Sequence, residues 1–185
     1  HFDKWQREEL GEYIEHIMTS AGNIDSLIKD LSKVLDSRVA VSDSLVPVNI
    51  EEITGVVLDN LNNQIKEAGV TIKVHFEDCG VEVLGVKSYL ESIIYNLISN
   101  AIKYRSSTSP WIKIYSEREA DKVILKVRDN GIGIDLKKNR DKVFAMYHRL
   151  SFDREGRGIG LHMTKTQVEA LKGSIDVSSE LNKGT

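Results

Sequence analysis

The sequence has a single cysteine and no long apolar run, and each shortage excludes a class of protein. Cys79 has no second cysteine to pair with, which excludes an intrachain disulfide, a zinc cluster of cysteines and a CxxC redox motif. A reducing, cytosolic setting fits this composition. The longest apolar runs, such as VVL and SII, fall far below the ~18 residues that a membrane span requires, and HFDKWQREEL lacks the apolar core of a signal peptide. We therefore expect no direct membrane contact by these residues, which leaves open an anchor elsewhere in a longer parent protein.

An excess of positive charge is also missing. The chain carries 25 basic and 28 acidic residues, a formal charge of −3, and has no basic block of the kind that follows phosphate backbones. Nucleic acid is therefore not an expected partner. What is present is a hydrophobic content of 41% over 185 residues, which is enough for one packed domain with an appendage.

A seam of apolar residues runs through the first part of the chain, with spacings that alternate between four and three. Its members are Leu10, Ile14, Ile17, Ala21, Ile24, Ile28, Leu31 and Leu35. This heptad pattern predicts one long helix that packs in a bundle or coiled coil, and the polar flanks favour that over an ordinary amphipathic core helix. Pro47 ends the pattern. We assign residues 1–45 to a bundle-forming helix and residues 46–185 to a second domain.

Helices and strands are interspersed after Pro47. The pattern predicts helices near residues 50–68, 86–104 and 159–172, and strands at 70–76, 81–84, 111–117, 122–128 and 174–180. Because only a few residues join strands 111–117 and 122–128, these two must be antiparallel. The sequence predicts an α+β fold, a two-layer α/β sandwich in which one mixed sheet is covered by helices on a single face.

The predicted helix SYLESIIYNLISNAIKYR has a polar face as well as an apolar one. Ser92, Asn96, Asn100 and Lys103 follow one another at steps of four, four and three residues and share that face. Asparagine is a mediocre helix former, so two of them one turn apart indicate a use beyond folding. Carboxamide oxygens suit magnesium beside substrate phosphates, and Lys103 adds a positive charge. The alternative is an ordinary solvated face.

Two short segments are rich in glycine. The first glycine segment, DNGIGID at residues 129–135, follows the apolar run KVILKV. Its Asn-Gly pair is also typical of a hairpin turn, but the return IGID is a poor strand and leads into charged LKKNRDK, which favours a close approach of backbone to another group. The second glycine segment, GRGIGL at residues 156–161, opens directly into a helix, where exposed amides form an anion site. It matches neither GxGxxG nor GxxxxGK[ST].

Taken in order, the Asn-rich helix, the first glycine segment, VFAMYHRL and the second glycine segment closely resemble the ATP-binding domain of sensor histidine kinases. Its superfamily, named GHKL, also contains gyrase, a mismatch-repair protein and a heat-shock chaperone. Residues 92–105, 129–135, 143–150 and 156–161 resemble the N box, first glycine box, F box and second glycine box. The resemblance implies a Bergerat-type fold. The heptad seam is similar to that family's dimerisation domain, whose helical hairpins pair into a four-helix bundle, and so implies a homodimer.

The resemblance also implies a role for each polar residue near the nucleotide. Asp129 would accept the adenine amino group, with the backbone at Gly131 and Gly133 passing under the base, and Asn100 would hold magnesium. The other implied contacts are Asn96 and Lys103 at phosphate oxygens, Tyr104 in the nucleotide pocket, Gly158 and Gly160 at the phosphates, and Leu161 beside them. Residues 136–157 would form a mobile lid that carries Phe144. Arg149, Arg154 and Arg157 are candidate lid contacts to phosphate, with ordinary surface charge as the alternative.

The resemblance implies a protein histidine kinase that transfers the ATP γ-phosphate, with Mg²⁺, to a histidine for relay to a response-regulator receiver domain. The family's acceptor histidine is followed by an acidic residue and then a proline, and none of the five histidines matches. We therefore expect the chain to begin after that histidine and to stop, at NKGT, before one more strand. His16 is the candidate acceptor to test.

Two alternatives rank below the kinase. A non-catalytic, nucleotide-gated scaffold would keep the fold without the activity, yet every expected polar contact residue is present. An ATPase of the GHKL superfamily would place a glutamate, as general base, four residues before the magnesium asparagine. Asn96 stands at that position and cannot serve as the base, so this alternative ranks last.

Overall fold

The structure, a computed structural model, describes residues 45–76, 82–120, 122–148 and 158–185. In chain order its elements are β1 (Val46–Asn49), α1 (Ile50–Ala68), β2 (Thr71–Phe76), β3 (Glu82–Gly85), α2 (Lys87–Lys103), β4 (Trp111–Glu119), β5 (Lys122–Asp129), α3 (Leu136–Asn139), a 3₁₀ turn (Arg140–Lys142) and α4 (Gly160–Ala170). The heptad seam lies outside the described residues, and the boundary after residue 45 stays a prediction. Within the described ranges, none of the helices is long and apolar enough to span a bilayer.

Local signals fix the ends of α1. Asn49 caps its first turn, because the Asn49 side chain accepts a hydrogen bond from the backbone N–H of Glu52 at 3.1 Å. Gly69 adopts φ 61° just after the last turn and donates its N–H to the carbonyls of Ile65 and Lys66, which is a left-handed cap that favours glycine. The predicted helix at 50–68 is therefore confirmed.

The strands form two sheets where the sequence predicted one. The larger has the order β2-β4-β5, with β2 parallel to β4 and β4 antiparallel to β5. A separate antiparallel pair joins β1 to β3. The short β4–β5 connection forces the antiparallel pairing, whereas the chain from β2 to β4 passes through α2 and can return parallel. The α+β class and the mixed sheet are confirmed.

One face of the larger sheet packs against α1 and α2. Ile112, Ile114 and Ser116 of β4 are buried, whereas Lys113 between them is exposed. The core they join contains Val48, Ile50, Ile53, Val57, Leu61, Val70, Ile94, Ile98, Ala101 and Ile102. Burial of each large aliphatic side chain contributes about 1.5–3 kcal/mol, so this layer holds α2 in place against the sheet.

The predicted final strand at 174–180 is wrong as a paired strand. Ile175, Val177 and Ser179 are half-buried between exposed neighbours, which is the alternation of extended backbone. Only Glu180 has a strand-like partner, an isolated bridge to Gly184. The period-two pattern predicted the local conformation, but pairing requires a neighbouring strand edge in register, which local sequence does not specify.

Candidate functional site

The candidate site lies where the carboxyl ends of α2 and β5 meet. The backbone N–H of Ile132 donates to the Tyr104 carbonyl at 2.9 Å. A Cβ on Gly131 would lie 2.3 Å from that same carbonyl oxygen, so a side chain cannot be accommodated there. The chain then continues to α3 at Leu136 without a return strand, which rules out the hairpin alternative for the first glycine segment.

Asp129, the last residue of β5, is held in a fixed orientation. Its Oδ1 accepts the backbone N–H of Gly131 at 2.7 Å, and the side chain is partly buried. Burial raises the pKa of the Asp129 carboxyl above its usual range, while backbone hydrogen bonds from Gly131 and Thr185 act in the opposite direction. The site therefore contains an oriented, partly desolvated carboxyl group at the position where the sequence predicted an adenine contact.

The final residues close around Asp129, which sequence reasoning missed. The Asp129 backbone N–H donates to the Thr185 carbonyl at 2.9 Å. Gly184 has φ 105°, and a Cβ there would lie 2.0 Å from the Asp129 carbonyl oxygen. Asn182 also has positive φ, at 61°. The Asn-Lys-Gly triplet was the available signal, because asparagine and glycine are the residues that tolerate left-handed backbone in tight turns.

The same terminal turn fixes the second half of the first glycine segment. Gly133 has φ 67°, and a Cβ there would lie 2.1 Å from the Glu180 carbonyl oxygen. The backbone N–H of Ile134 donates to the Ser179 Oγ at 2.7 Å, and that hydroxyl donates to the Gly184 carbonyl at 2.7 Å. Ser179 is thus a second residue of the site that the sequence did not single out.

The polar face of α2 lies next to the start of α4. A Cβ built on Gly160 would be 3.5 Å from Asn96 Oδ1 and 3.9 Å from Asn100 Nδ2. The two asparagines and the second glycine segment, predicted independently, are therefore brought together. They are separated by about 60 residues of sequence, and the packing of α4 on α2 joins them.

The amino terminus of α4 lies beside these two asparagines. No side chain caps it at Ile159. The Met163 N–H donates to the Ile159 carbonyl at 2.9 Å, and the amides of Gly160, Leu161 and His162 precede this bond in the first turn. Amides in the first turn of a helix have no partner within the helix, and beside two carboxamides they form a site suited to an anion.

Lys103 and Tyr104 lie at the carboxyl end of α2. The Lys103 Nζ is 4.9 Å from the centroid of the Tyr104 ring, a cation–π contact. Lys103 also lines a groove between the ends of α1 and α2, together with Gln64, Glu67, Ala68, Ser99, Ile102 and Arg105. Lys103 has no ion pair with a carboxylate among the described residues.

The first part of the expected lid is attached to α4. The His162 Nδ1 lies 3.0 Å from the Phe144 carbonyl oxygen, and Lys165 Nζ lies 5.8 Å from the Phe144 ring centroid. Gly158 has φ 70°, and a Cβ there would lie 2.5 Å from the His148 carbonyl oxygen. Residues 143–148 and the second glycine segment are therefore in contact. Arg149, Arg154 and Arg157 lie outside the described residues.

Comparison with known proteins identifies the family of this chain. Residues 85–185 match the family described as histidine kinase-, DNA gyrase B-, and HSP90-like ATPase. Cyanobacterial phytochrome A of Nostoc sp. is 34% identical over 181 residues, which cover 95% of this chain and 23% of that protein. Histidine protein kinase SaeS of Staphylococcus epidermidis is 26% identical over 183 residues, 96% of this chain and 52% of that one. The chain thus spans between 23% and 52% of the length of these two relatives.

Two solved structures have the same fold. The Acinetobacter baumannii histidine kinase AdeS gives a TM-score of 0.71 at 22% identity and covers 92% of this chain and 79% of that chain. Full-length ShkA gives a TM-score of 0.75 at 23% identity, and the alignment covers 94% of this chain and 36% of the ShkA chain. The resemblance inferred from the four motifs, to the ATP-binding domain of sensor histidine kinases, is confirmed by the family match and by the similarity to SaeS. The chain belongs to the family of histidine kinase-, DNA gyrase B- and HSP90-like ATPases.

Proposed function

We propose that this chain is the ATP-binding catalytic part of a two-component sensor histidine kinase. It binds Mg-ATP and transfers the γ-phosphoryl group to a histidine on a dimerisation domain, for relay to a response-regulator receiver domain. The carrying observation is that Asn96 and Asn100 face the uncapped start of α4, while Asp129 is fixed at the end of β5. The ShkA structure, which contains the ATP analogue AMPPNP, supports the choice of nucleotide.

Asp129 recognises the base. One of its oxygens is occupied by the Gly131 amide, and the carboxylate retains lone pairs that accept the adenine amino group. A hydrogen bond to a charged group of this kind contributes about 1.5–3 kcal/mol. Adenine offers that donor, whereas guanine presents a carbonyl at the same ring position, so the carboxylate selects for ATP.

The phosphates occupy the space between α2 and the start of α4. The amides of Gly160 and Leu161 in the first turn of α4 donate to phosphate oxygens, and Lys103 supplies a positive charge. Among the described residues no group of three His, Cys, Asp or Glu side chains could hold a metal ion. The family resemblance implies that the Asn100 carboxamide would hold Mg²⁺ together with phosphate oxygens and water, a donor set of hard oxygens that suits this ion. Bound there, Mg²⁺ would neutralise phosphate charge.

Calorimetric titration with Mg-ATP tests the binding half of the proposal. Asp129→Asn and Asn100→Ala should each weaken binding at least about tenfold, because each removes a contact worth roughly 1.4 kcal/mol or more. Asn62→Ala is the matched control, since Asn62 is exposed on α1, and it should bind as the wild type does. Unchanged affinity in a folded Asp129→Asn variant would remove Asp129 from the site.

Incubation with γ-labelled ATP tests the transfer half. We expect no acid-labile label on the chain alone, and label when a purified dimerisation domain of a relative is added, because phosphoryl transfer needs an imidazole nitrogen in line with the γ-phosphate. Label on the chain alone that disappears in His16→Gln would assign the acceptor to His16. Steady phosphate release that Asn100→Ala abolishes would instead favour the ATPase alternative, against the expectation from Asn96.

A further inference from the structure

The face of the larger sheet turned away from the helices carries a row of three positive charges. In the registers of the two ladders, Lys113 of β4 lies directly opposite Lys73 of β2 on one side and opposite Arg128 of β5 on the other. All three side chains are exposed. They point away from the core, because Ile112 and Ile114 on either side of Lys113 are buried.

Elsewhere β4 and β5 pair opposite charges. Lys126 forms an ion pair with Glu117, and Glu119 lies directly opposite Lys122. Oppositely charged residues across strands stabilise a sheet, and like charges directly opposite destabilise it. The sheet therefore follows this rule in the rows near the β4–β5 turn and breaks it in the row of Lys73, Lys113 and Arg128.

Nothing within the described residues compensates for the whole row. Neighbouring strands are only about 4.7–4.9 Å apart, which holds the three charged side chains close together. No carboxylate among the described residues forms an ion pair with any of them. Lys113 alone has a partial substitute, since its Nζ lies 5.0 Å from the centroid of the Trp111 ring. Like charges placed directly opposite one another in this way cost folding stability.

We propose that this basic row, together with Trp111 and Tyr115 on the same face, docks an acidic segment of a partner protein. Carboxylates placed between the three cations would relieve their repulsion. Half-buried aromatic rings such as those of Trp111 and Tyr115 are enriched in protein interfaces. The surface lies on the opposite side of the sheet from α2, so docking there leaves the nucleotide site accessible.

Charge on the rest of the face favours a protein over an extended polyanion. Glu117 and Glu119 continue the same side of β4 beyond Tyr115. A nucleic acid strand or an anionic bilayer laid over the sheet would meet these carboxylates, whereas a short acidic segment can be confined to the basic row. The chain as a whole is acidic, with a formal charge of −3, which also opposes non-specific binding to polyanions.

Fluorescence anisotropy with a labelled hexaglutamate peptide tests the proposal on the whole 185-residue chain. The wild type should bind at low salt, and binding should weaken as salt is added. Lys113→Glu should weaken binding at least about tenfold, because it replaces an attractive central charge with a repulsive one. The matched control is Lys87→Glu, the same charge change at the exposed start of α2, which should weaken binding by less than about twofold.

Two further measurements separate docking from general effects. Lys113→Glu should raise the melting temperature, since a glutamate between Lys73 and Arg128 turns a repulsive row into an attractive one, and it should leave ATP affinity unchanged. Labelled oligothymidylate, and phosphatidylcholine vesicles that contain phosphatidylserine, should bind more weakly than the peptide. Absence of peptide binding, equal losses in Lys113→Glu and Lys87→Glu, or stronger binding of the DNA or the vesicles would overturn the proposal.

Discussion

The two glycine segments look alike in sequence, yet their glycines differ in how closely other backbone atoms approach them. In the first glycine segment, a Cβ at Gly131 or Gly133 would collide with the carbonyl oxygen of Tyr104 or Glu180, at 2.3 and 2.1 Å. In the second, a Cβ at Gly158 would collide with the His148 carbonyl at 2.5 Å. These three glycines are required by the packing of the protein's own backbone.

Among the described glycines of the two segments, Gly160 is the exception. A Cβ there would have its nearest neighbour at 3.5 Å, the Asn96 side chain, which is an ordinary van der Waals separation. The folded domain could accept alanine at this position. The space beside Gly160 adjoins two carboxamides and the start of α4, where we propose that the phosphates bind. Gly160 thus differs from the other three glycines, because it has room for a methyl group beside the polar face of α2.

Replacing a shaping glycine should have the largest effect. Gly133→Ala combines a left-handed φ with backbone overlap, so the free energy of unfolding should fall by about 3 kcal/mol. Urea denaturation measures this change. Gly55→Ala is the control, because Gly55 lies within α1 with no atom near its missing Cβ, and it should gain about 0.5–1 kcal/mol. A Gly133→Ala variant as stable as the wild type would show that the terminal turn moves aside at little cost.

Replacing Gly160 should separate binding from folding. Gly160→Ala should leave the free energy of unfolding within about 0.5–1 kcal/mol of the wild type, since alanine favours a helix start and meets no clash. It should weaken Mg-ATP binding about tenfold, because a methyl group then occupies space beside the phosphate-binding amides. Calorimetry and urea denaturation on the same preparation test both statements. Unchanged affinity would place the phosphates elsewhere.

A smaller effect is expected where the second glycine segment is tied to the lid. The first segment is held through its own backbone amides, whereas the His162 side chain holds the Phe144 carbonyl. His162→Ala should therefore reduce the stability of residues 143–148 by about 1 kcal/mol, seen as faster hydrogen exchange there. His75→Ala, an exposed histidine on β2, is the control. Exchange that stays the same in His162→Ala would show that packing of Val143 alone holds this part.

The smallest effect should come from Asp129, the carboxyl group that distinguishes the first segment. Because burial raises the pKa of Asp129 in the folded state, the folded chain binds a proton more tightly than the unfolded chain. Its contribution to stability is therefore full below the usual range of an aspartate and is lost as pH rises through the raised pKa. In urea denaturation at several pH values, the free energy of unfolding of the wild type should rise relative to that of Asp129→Asn as pH falls through that window. A difference that is independent of pH would show that Asp129 is fully solvated.

Individual residues show which features could be predicted from sequence. Asn49 and Gly69 define α1 because caps act within one turn, and the short connection between β4 and β5 allowed only antiparallel pairing. The roles of Asn96 and Asn100 stay predictions, but their position facing Gly160 is now observed. Ser179 and Thr185 were missed, because their partners Ile134 and Asp129 lie more than 40 residues away along the chain.

By itself, the sequence determined α1, α2, α4, the strands β2 to β5, the four motifs and the family, because caps, turn residues, hydrophobic period and motif order are all local or linear properties. Tertiary structure alone decided three other matters: the division of the strands into two sheets, the closure of the terminal turn on Asp129, and the basic row across β2, β4 and β5. Each of these depends on register or on contact between distant segments. Residues such as Lys73, Lys113 and Arg128 have no spacing in the sequence that marks them as neighbours, and only strand pairing places them side by side.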